Sequence, residues 1–227
     1  MFSFVLYGSK DSGKSTLVKV VLNLVQYDMG SVEIFGKSYP YIDAQIKIGY
    51  MPENNGLFDF LTIFETVCYF GYLLGLPKAE ILRRIVELNA FLSVLDINIL
   101  VKALHSYQKK LLSYFVSTLN NIDILIIDDV TFNFDPYYKY ELWLKLKKLS
   151  TDENVTILLT TTDMQDCENA DMMGYLRNGR IIEQNKPQYL MEKYNVNTIE
   201  KLAYCIVMKD FSIHPILKVG FLFKYFL

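Results

Sequence analysis

Apolar and polar residues follow two periods along this chain, and these periods predict strands and helices in turn. Residues 2–7, FSFVLY, form a short apolar run that is typical of a buried strand. Apolar residues then recur every three or four positions and predict a helix that ends before Gly30. The buried face of this helix is expected to contain Leu17, Val20, Val21, Leu24 and Val25. The segments at 31–36 and 46–50 have the pattern of two short strands.

From residue 62 to about residue 121 the spacing of apolar residues is helical. Thr62 followed by Glu65 fits a capping box, so the first of these helices is expected to begin after Leu61. A second helix is expected to open at Pro77, and a third to cover residues 108–121. Their buried faces are expected to contain Ile81, Ile85 and Leu92, and Leu111, Leu112, Phe115 and Leu119.

Strands and helices alternate again in the rest of the chain. The uninterrupted apolar run at 124–127 ends in Asp128 and is typical of a parallel strand that is covered on both faces. A helix at about 137–149 and a strand at 156–161 follow, and Asn178-Gly179 predicts the tight turn of a hairpin over 175–182. The whole pattern predicts an α/β fold with a mostly parallel sheet and a helical insertion at about 62–121.

Composition narrows the class of protein without fixing the function. The chain has 227 residues, of which 52% are apolar and 21% charged, so it can bury the core of one α/β domain, with or without a small lobe. A net charge of −2 gives no electrostatic reason to expect a nucleic-acid partner. The distant Cys68, Cys167 and Cys205 favour reduced thiols over a disulfide framework or a zinc site. The sequence shows no signal-peptide pattern and no run of about 20 apolar residues.

The segment GSKDSGKST lies between the first predicted strand and the first predicted helix. Gly8, Gly13, Lys14 and Ser15 satisfy the phosphate-loop pattern G-x-x-x-x-G-K-S, whose backbone N–H groups bind phosphate oxygens. Lys14 would reach the β- and γ-phosphates, and the hydroxyl of Ser15 would bind Mg²⁺. We expect the whole loop to bind a nucleotide: Gly8, Ser9, Lys10, Asp11, Ser12, Gly13, Lys14, Ser15 and Thr16.

A second group at the metal is expected to be an acid at the end of another strand. Asp128 closes the apolar segment ILIID and fits this Walker B role. Two adjacent acids can also end a buried strand without binding a metal. The phosphate loop and this strand together are more specific than either motif alone, and they favour a site for a nucleotide with Mg²⁺.

In the order and spacing of five segments the chain resembles the nucleotide-binding domain of an ATP-binding cassette (ABC) transporter, over about residues 4–205. After the phosphate loop, GSVEIFGK is similar to the family's short strand pair, and IGYMPENNGLFDFLTIFETV to the stretch around its Q-loop. LHSYQKK stands in the place of the LSGGQ signature, and ILIIDDVTFNFDP in that of Walker B and the D-loop. TILLTTTDMQDCENADMMGYLRNGRI resembles the switch region and the closing hairpin.

The resemblance implies a P-loop NTPase (RecA-like) core with an inserted helical subdomain, and ATP with Mg²⁺ as ligands. It implies that two such domains pair face to face, with ATP held between the Walker motifs of one and the signature of the other. Closure and hydrolysis would move membrane-spanning domains supplied by a larger parent or a separate subunit. The chain would then lie at the cytoplasmic face of a membrane.

The cassette is expected to cover residues 1–205 and to be followed by an apolar tail at 206–227. The end of this tail is a partner contact, part of the core, or the stub of a longer segment. Residues 189–207 resemble the segment after the cassette in eukaryotic A-, G- or H-type transporters. Family members usually carry a further segment before the first strand, with an aromatic residue that stacks on adenine. We therefore expect weakened base selectivity, and a chain that is either a fragment or the product of a mis-started gene model.

Three catalytic positions of the family hold different residues in this chain. Asp129 stands where the family has a glutamate that polarises the attacking water, and its side chain is shorter by roughly 1.5 Å. Glu53 replaces the Q-loop glutamine; it can bind Mg²⁺ but brings negative charge towards the γ-phosphate. Thr162 replaces the switch histidine with a shorter side chain. Because a displacement of about 1 Å can lower a catalytic rate about a hundredfold, hydrolysis is expected to be slow.

The signature is also altered, which leaves two functions open. His105, Ser106 and Tyr107 replace a serine and two glycines, and we expect Tyr107 to crowd the approach to ATP on the opposite domain. His105 is either a phosphate donor or an ordinary loop residue. The chain is thus an ABC-type ATPase with impaired motifs, or a regulatory or partner half that binds nucleotide without hydrolysing it. A P-loop GTPase is disfavoured, because the D-x-x-G and N-K-x-D motifs are both missing from the sequence.

Overall fold

A six-stranded sheet forms the centre of the computed structural model, which describes residues 2–38, 46–92, 96–129 and 135–213. The strands are β1 (Ser3–Tyr7), β2 (Glu33–Ile34), β3 (Lys37–Ser38), β4 (Ile48–Met51), β5 (Ile124–Asp128), β6 (Thr156–Thr161), β7 (Met172–Arg177) and β8 (Arg180–Asn185). The central sheet has the order β4-β5-β6-β1-β7-β8, and β2 and β3 form a separate pair. All neighbours in the central sheet are parallel except β7 and β8.

Seven α-helices lie in the described part of the chain. They are α1 (Lys14–Val21), α2 (Ile63–Leu73), α3 (Lys78–Leu92), α4 (Ser106–Ser117), α5 (Pro136–Asp152), α6 (Pro187–Tyr194) and α7 (Ile199–Ile213). Two 3₁₀ helices cover Val101–Ala103 and Met164–Asn169. Helices α2, α3 and α4 lie between β4 and β5 in the chain, so the predicted mostly parallel sheet with a helical insertion is confirmed.

The sheet is buried on both faces because its strands are apolar at successive positions. In β1, Val5 belongs to the core beneath α5, α6 and α7, whereas Phe4 and Leu6 pack on the opposite face with Leu17 of α1. The same alternation in β5 directs Leu125 and Ile127 to one side and Ile124 and Ile126 to the other. This pattern produces three layers, as expected for parallel strands that are covered by helices.

The helical insertion has a core of its own. Thr62 caps α2 by accepting from the Glu65 N–H at 3.1 Å, while the Glu65 carboxylate accepts from the Thr62 N–H at 2.8 Å, so the predicted capping box is confirmed. A Cβ at Gly71 would lie 2.7 Å from Ile81, which allows α2 and α3 to approach closely. The buried apolar side chains of this core are Ile63, Val67, Ile81, Ile85, Leu88, Val101, Leu104, Leu111, Leu112, Phe115 and Leu119.

Two predicted helix boundaries are wrong. Helix α1 ends at Val21, so Leu24 and Val25 do not extend its buried face, and Leu24 is 64% exposed. The cause is Asn23, at φ +56°: its N–H donates to Val20 O and the Leu24 N–H donates to Lys19 O at 2.8 Å, which closes the helix with a left-handed residue. Helix α4 covers 106–117 rather than 108–121, although Leu119 beyond its end is buried as expected.

The end of the cassette stays a prediction. Helix α7 crosses residue 205, and Ile206 is buried in the core beneath α6 and α7, so the structure has no break at the predicted boundary. The side chain of Leu92 and most of the predicted tail, from residue 214 onward, lie outside the described residues. None of the helices described is both long enough and apolar enough to cross a membrane.

Candidate nucleotide site

The phosphate loop is held at its start and at its middle by distant segments of the chain. The Gly8 N–H donates to Thr161 O, at the end of β6, with a distance of 3.2 Å. The Gly179 N–H, in the turn between β7 and β8, donates to Ser12 O at 3.0 Å. Asn178 and Gly179 have φ of +48° and +72°, as the predicted hairpin turn requires. The conformation of the phosphate loop therefore depends on hydrogen bonds to backbone groups that lie beyond residue 160.

Two glycines of the loop have no substitute. A Cβ at Gly8 would lie 2.5 Å from Leu176 O and 2.5 Å from the hydroxyl oxygen of Ser12. Gly13 has φ +105° and directly precedes α1. The first N–H groups of α1 have no partner within the helix and lie at its positive end, so they favour an anion.

Lys14 lies at the centre of the charged groups of the site. Its side chain is 5% exposed, and Nζ donates to Gly8 O at 2.8 Å and to Ser9 O at 3.0 Å. Burial lowers the pKa of the ammonium from its usual range, and nearby carboxylates oppose this shift. These carboxylates belong to Asp129, Asp128, Glu53 and Asp11. The four acids that the sequence assigns to the site therefore all act electrostatically on one lysine.

Ser15 and Asp128 lie together, as a shared metal ligand role requires. The Ser15 hydroxyl donates to Asp128 Oδ1 at 3.1 Å, and the buried Thr160 hydroxyl donates to the same oxygen at 2.6 Å. In the part of the chain that the structure describes, no group of three or more His, Cys, Asp or Glu side chains could hold a metal ion. One hydroxyl with one carboxylate still fits Mg²⁺, which keeps several waters and binds substrate phosphates.

Asp129 and Thr162 form a direct contact. Thr162 donates its backbone N–H to Asp129 Oδ1 at 3.0 Å and its hydroxyl to the same oxygen at 3.3 Å. The Asp129 N–H in turn donates to Thr160 O at 3.0 Å. Asp129 has φ +48°, a left-handed conformation that β6 stabilises through these bonds. The carboxylate after Walker B is thus oriented by the segment that carries Thr162.

Glu53 is exposed, just beyond the end of β4. Its charge acts on Tyr50 of β4, whose pKa is raised first by burial and then by the carboxylates of Asp128 and Glu53. Glu53 therefore lies near Asp128. The hydrogen bonds of the described residues include none between these two side chains. This placement is compatible with a water-mediated role at the metal.

Aromatic rings cover the start of α4, where the signature lies. The rings of Tyr107 and Tyr138 stack with centroids 3.9 Å apart and an angle of 9° between their planes. The exposed His105 precedes α4, and its ring is stacked 6.1 Å from that of Tyr107. Because Tyr138 belongs to α5, this stack joins the helical insertion to the sheet domain. The stacked rings cover the place where the two glycines of the family's signature would leave the backbone exposed.

The remaining residues of the loop differ in exposure. Ser12 is buried, and its hydroxyl oxygen forms no hydrogen bond with any described residue. Ser9, Lys10, Asp11 and Thr16 are exposed. Asp11 has φ +63°, which is a strained conformation for a residue with a Cβ.

We expect Asp11→Gly to raise the free energy of unfolding by about 0.5–1 kcal/mol, because glycine adopts positive φ without strain. The Kd for ATP should fall about threefold, because a carboxylate is removed from an anion site. Urea unfolding and equilibrium titration with ATP measure the two effects. Asn154→Gly is the matched control, since Asn154 has φ +61° in an exposed loop. The control should gain stability with an unchanged Kd. A weaker affinity in Asp11→Gly would contradict the charge argument.

Four residues support the site that the sequence did not predict as site residues. Thr160 binds Asp128, Tyr50 lies near Asp128 and Glu53, Gly179 contacts the phosphate loop, and Tyr138 covers the signature. No motif marks the first two, because they act through contacts between distant strands. Gly179 was predicted as a turn residue, without its contact to Ser12.

A parallel sheet with a phosphate loop after β1 and an acid at the end of β5 defines a P-loop NTPase. The sequence model of the ABC transporter family matches residues 3–132, so the chain belongs to that family and forms its nucleotide-binding domain. The predicted family and fold are therefore confirmed. Domains of this family dimerise and work with transmembrane domains.

Two relatives are about equally similar to the chain. It is 31% identical over 208 residues to ABC transporter G family member 23 of Dictyostelium discoideum, covering 90% of this chain and 30% of that protein. It is 31% identical over 192 residues to the Nod factor export ATP-binding protein I of Ralstonia nicotianae, covering 83% of this chain and 60% of the relative. The chain thus spans less than two thirds of either protein.

Solved structures agree on the fold. An ATP-binding subunit of an ABC transporter matches with a TM-score of 0.77 and 21% identity, over 91% of this chain and 88% of that one. A dimeric ATP-binding cassette in a post-hydrolysis state, bound to ADP and phosphate, matches with a TM-score of 0.70 and 23% identity, over 82% and 84% of the two chains. At these identities the likeness concerns architecture alone.

Proposed function

We propose that this chain binds ATP with Mg²⁺ and hydrolyses it slowly, as the nucleotide-binding part of an ABC transporter. The observation that carries the proposal is the assembly of Lys14, Ser15, Asp128 and Asp129 from two distant segments at the phosphate loop. The loop N–H groups and Lys14 would bind the phosphates, and Ser15 and Asp128 would hold Mg²⁺. A bound Mg²⁺ neutralises charge on the phosphate oxygens and orients them.

Asp129 is proposed to orient the water that attacks the γ-phosphorus. A new bond forms between the water oxygen and that phosphorus, while the bond from the γ-phosphorus to the bridging oxygen breaks and ADP leaves. The proton lost by the water is accepted by the Asp129 carboxylate and then by the released phosphate. Thr162 keeps one carboxylate oxygen occupied, so the other is directed to the water. The short aspartate side chain is the reason for a slow rate.

The proposed partners are a second nucleotide-binding domain and transmembrane domains in the same or another chain. The proposed location is the cytoplasmic face of the membrane that holds those domains. The relatives' names support export or transport as the purpose, since one is called a Nod factor export ATP-binding protein and another an ABC transporter of the G family. The cassette proper is proposed to cover residues 1–205, with the predicted tail following it.

A partner half that binds ATP without hydrolysing it is the second candidate. The substituted residues at the three catalytic positions of its own site, Glu53, Asp129 and Thr162, favour this candidate. The ring stack of Tyr107 and Tyr138 would in addition obstruct the approach of this signature to ATP on the opposite domain. In a dimer with a better-equipped partner, the site that borrows this signature would then be the weaker one.

Single-turnover hydrolysis of γ-labelled ATP, with the purified chain in excess over ATP and Mg²⁺ present, tests the proposal. We expect saturable binding and a first-order rate below about 1 s⁻¹, at the low end of ordinary enzyme turnover. A faster rate would contradict impaired hydrolysis. Saturable binding with no release of phosphate above the rate in buffer would favour the second candidate. Absence of ATP binding would reject both candidates.

A further inference from the structure

The orientation of Asp129 depends on the short segment that follows β6. Among the described residues, residue 162 donates twice to the Asp129 carboxylate, once from the backbone and once from the side chain. A shift of the backbone at 162 would therefore move or release this carboxylate. What fixes the backbone at 162 is consequently part of the catalytic arrangement.

A buried network fixes the segment on the side away from the nucleotide loop. The Thr161 hydroxyl donates to Asp166 Oδ2 at 2.6 Å and accepts from the Asp163 N–H at 2.9 Å. Asp166 is fully buried and also accepts from Nε1 of Trp143 at 3.1 Å. Asp163 caps the 3₁₀ helix by accepting from the Gln165 N–H at 3.0 Å.

One cation serves both carboxylates of this network. Nζ of Lys139 lies 2.6 Å from Asp163 Oδ2 and 3.0 Å from Asp166 Oδ1, and the lysine side chain is 14% exposed. Burial by itself would lower the pKa of Lys139, but the two carboxylates outweigh it and raise the pKa above its ordinary value. The lysine is therefore firmly charged at neutral pH. Two carboxylates this close to each other need such a cation, since they would otherwise repel in a poorly solvated place.

Lys139 lies in the first turn of α5, so the network is attached to the start of that helix. Its backbone N–H makes the first helical bond, to O of the capping residue Asp135, at 2.9 Å. We infer that Lys139 is a positioning residue for the proposed hydrolysis: by pairing with Asp163 and Asp166 it holds the turn that presents Thr162 to Asp129. The inference rests on the proposed function, and Lys139 itself touches no reacting atom.

The test compares Lys139→Met with Lys139→Arg in the full chain. Methionine keeps the length and removes the charge, whereas arginine keeps a cation able to bridge two carboxylates. We expect Lys139→Met to lower the single-turnover rate at least tenfold with the Kd for ATP changed less than twofold. Lys139→Arg should recover the rate to within threefold of the wild type. Lys147→Met is the control, because Lys147 is exposed on the same helix.

Amide hydrogen exchange supplies a readout that does not depend on turnover. The amides of Thr162 and Asp163 should exchange at least tenfold faster in Lys139→Met and at the wild-type rate in Lys139→Arg, while amides of α2 keep their protection. An equal rise in exchange across the sheet and α2 would show a merely structural role and overturn the inference. Unchanged exchange at 162 and 163, or an unchanged hydrolysis rate, would also overturn it.

Asp163→Asn covers the case in which Lys139→Met does not fold. Asparagine retains the capping oxygen but lowers the charge that faces Lys139. It should raise exchange at Thr162 and slow hydrolysis severalfold, and wild-type values in both would reject the inference. A wild-type chain that binds ATP without hydrolysing it would contradict the proposed hydrolysis alone. In that case the exchange data would still decide whether Lys139 holds the segment.

Discussion

Replacing Lys14 with alanine is expected to raise the Kd for ATP roughly a hundredfold, about 3 kcal/mol, because its ammonium is a buried cation that offsets the charge of four nearby carboxylates. Its present partners, the carbonyl oxygens of Gly8 and Ser9, would yield to phosphate oxygens when ATP binds. Without the ammonium, the acids near the loop repel the nucleotide. Equilibrium titration with ATP at fixed Mg²⁺ and ionic strength measures the change.

Lys19→Ala is the matched control for this prediction. Lys19 is exposed in the last turn of the same helix and lies away from the loop, so its loss should change the Kd less than twofold. Equal losses in both variants would show that net charge, rather than the position of Lys14, drives binding. Circular dichroism of Lys14→Ala should keep the wild-type helical signal.

Asp129→Asn is expected to lower the single-turnover rate of ATP hydrolysis roughly a hundredfold, near the lower limit for loss of a general base. The amide keeps an oxygen that accepts from Thr162 but cannot take the proton of the attacking water. The Kd for ATP should stay the same or fall slightly, because one negative charge leaves the neighbourhood of the γ-phosphate. Rapid-quench measurement of labelled phosphate gives the rate.

Asp123→Asn serves as the control, since Asp123 is exposed just before the other end of the same strand. Its variant should hydrolyse ATP at the wild-type rate. An Asp129→Asn chain as fast as the wild type would mean that Asp129 has no part in the reaction. Only equal rates that do not exceed the rate in buffer would favour the half that binds ATP without hydrolysing it.

Periodicity predicted most of the fold because apolar spacing is a local property. The strand at 156–161 and the hairpin turn at Asn178-Gly179 agree with the structure, and so does the capping box at Thr62. The predicted end of α1 was wrong because Leu24 and Val25 continue the helical spacing beyond Asn23, the left-handed residue that closes the helix. Asn23 tolerates the left-handed conformation. In that conformation the N–H groups of Asn23 and Leu24 donate to carbonyl oxygens in the last turn of the helix. The spacing of apolar residues does not reveal such hydrogen bonds.

Sequence motifs predicted the residues that would touch nucleotide but not the ones that hold them. The length of its side chain alone predicts that Thr162 is too short to replace a histidine. In the structure its backbone N–H reaches Asp129, a donor that every residue type except proline carries. Tyr138 is about thirty positions from Tyr107, and only the packing of α5 against α4 brings the rings together. Contacts of this kind follow from tertiary structure and leave no local pattern.

The place of β1 in the sheet has a consequence for how the protein is made. Ser3 pairs with Ile157 and Phe4 with Met172, so both neighbours of β1 are synthesised about 150 residues after it. The bonds of the phosphate loop to Thr161 and Gly179 likewise join segments that are far apart in the chain. The apolar strand β1 therefore stays unpaired until β6 and β7 have been made, and such long-range pairing folds slowly. Because the phosphate loop gains these bonds only with that pairing, we expect nucleotide to bind late in the folding of the domain.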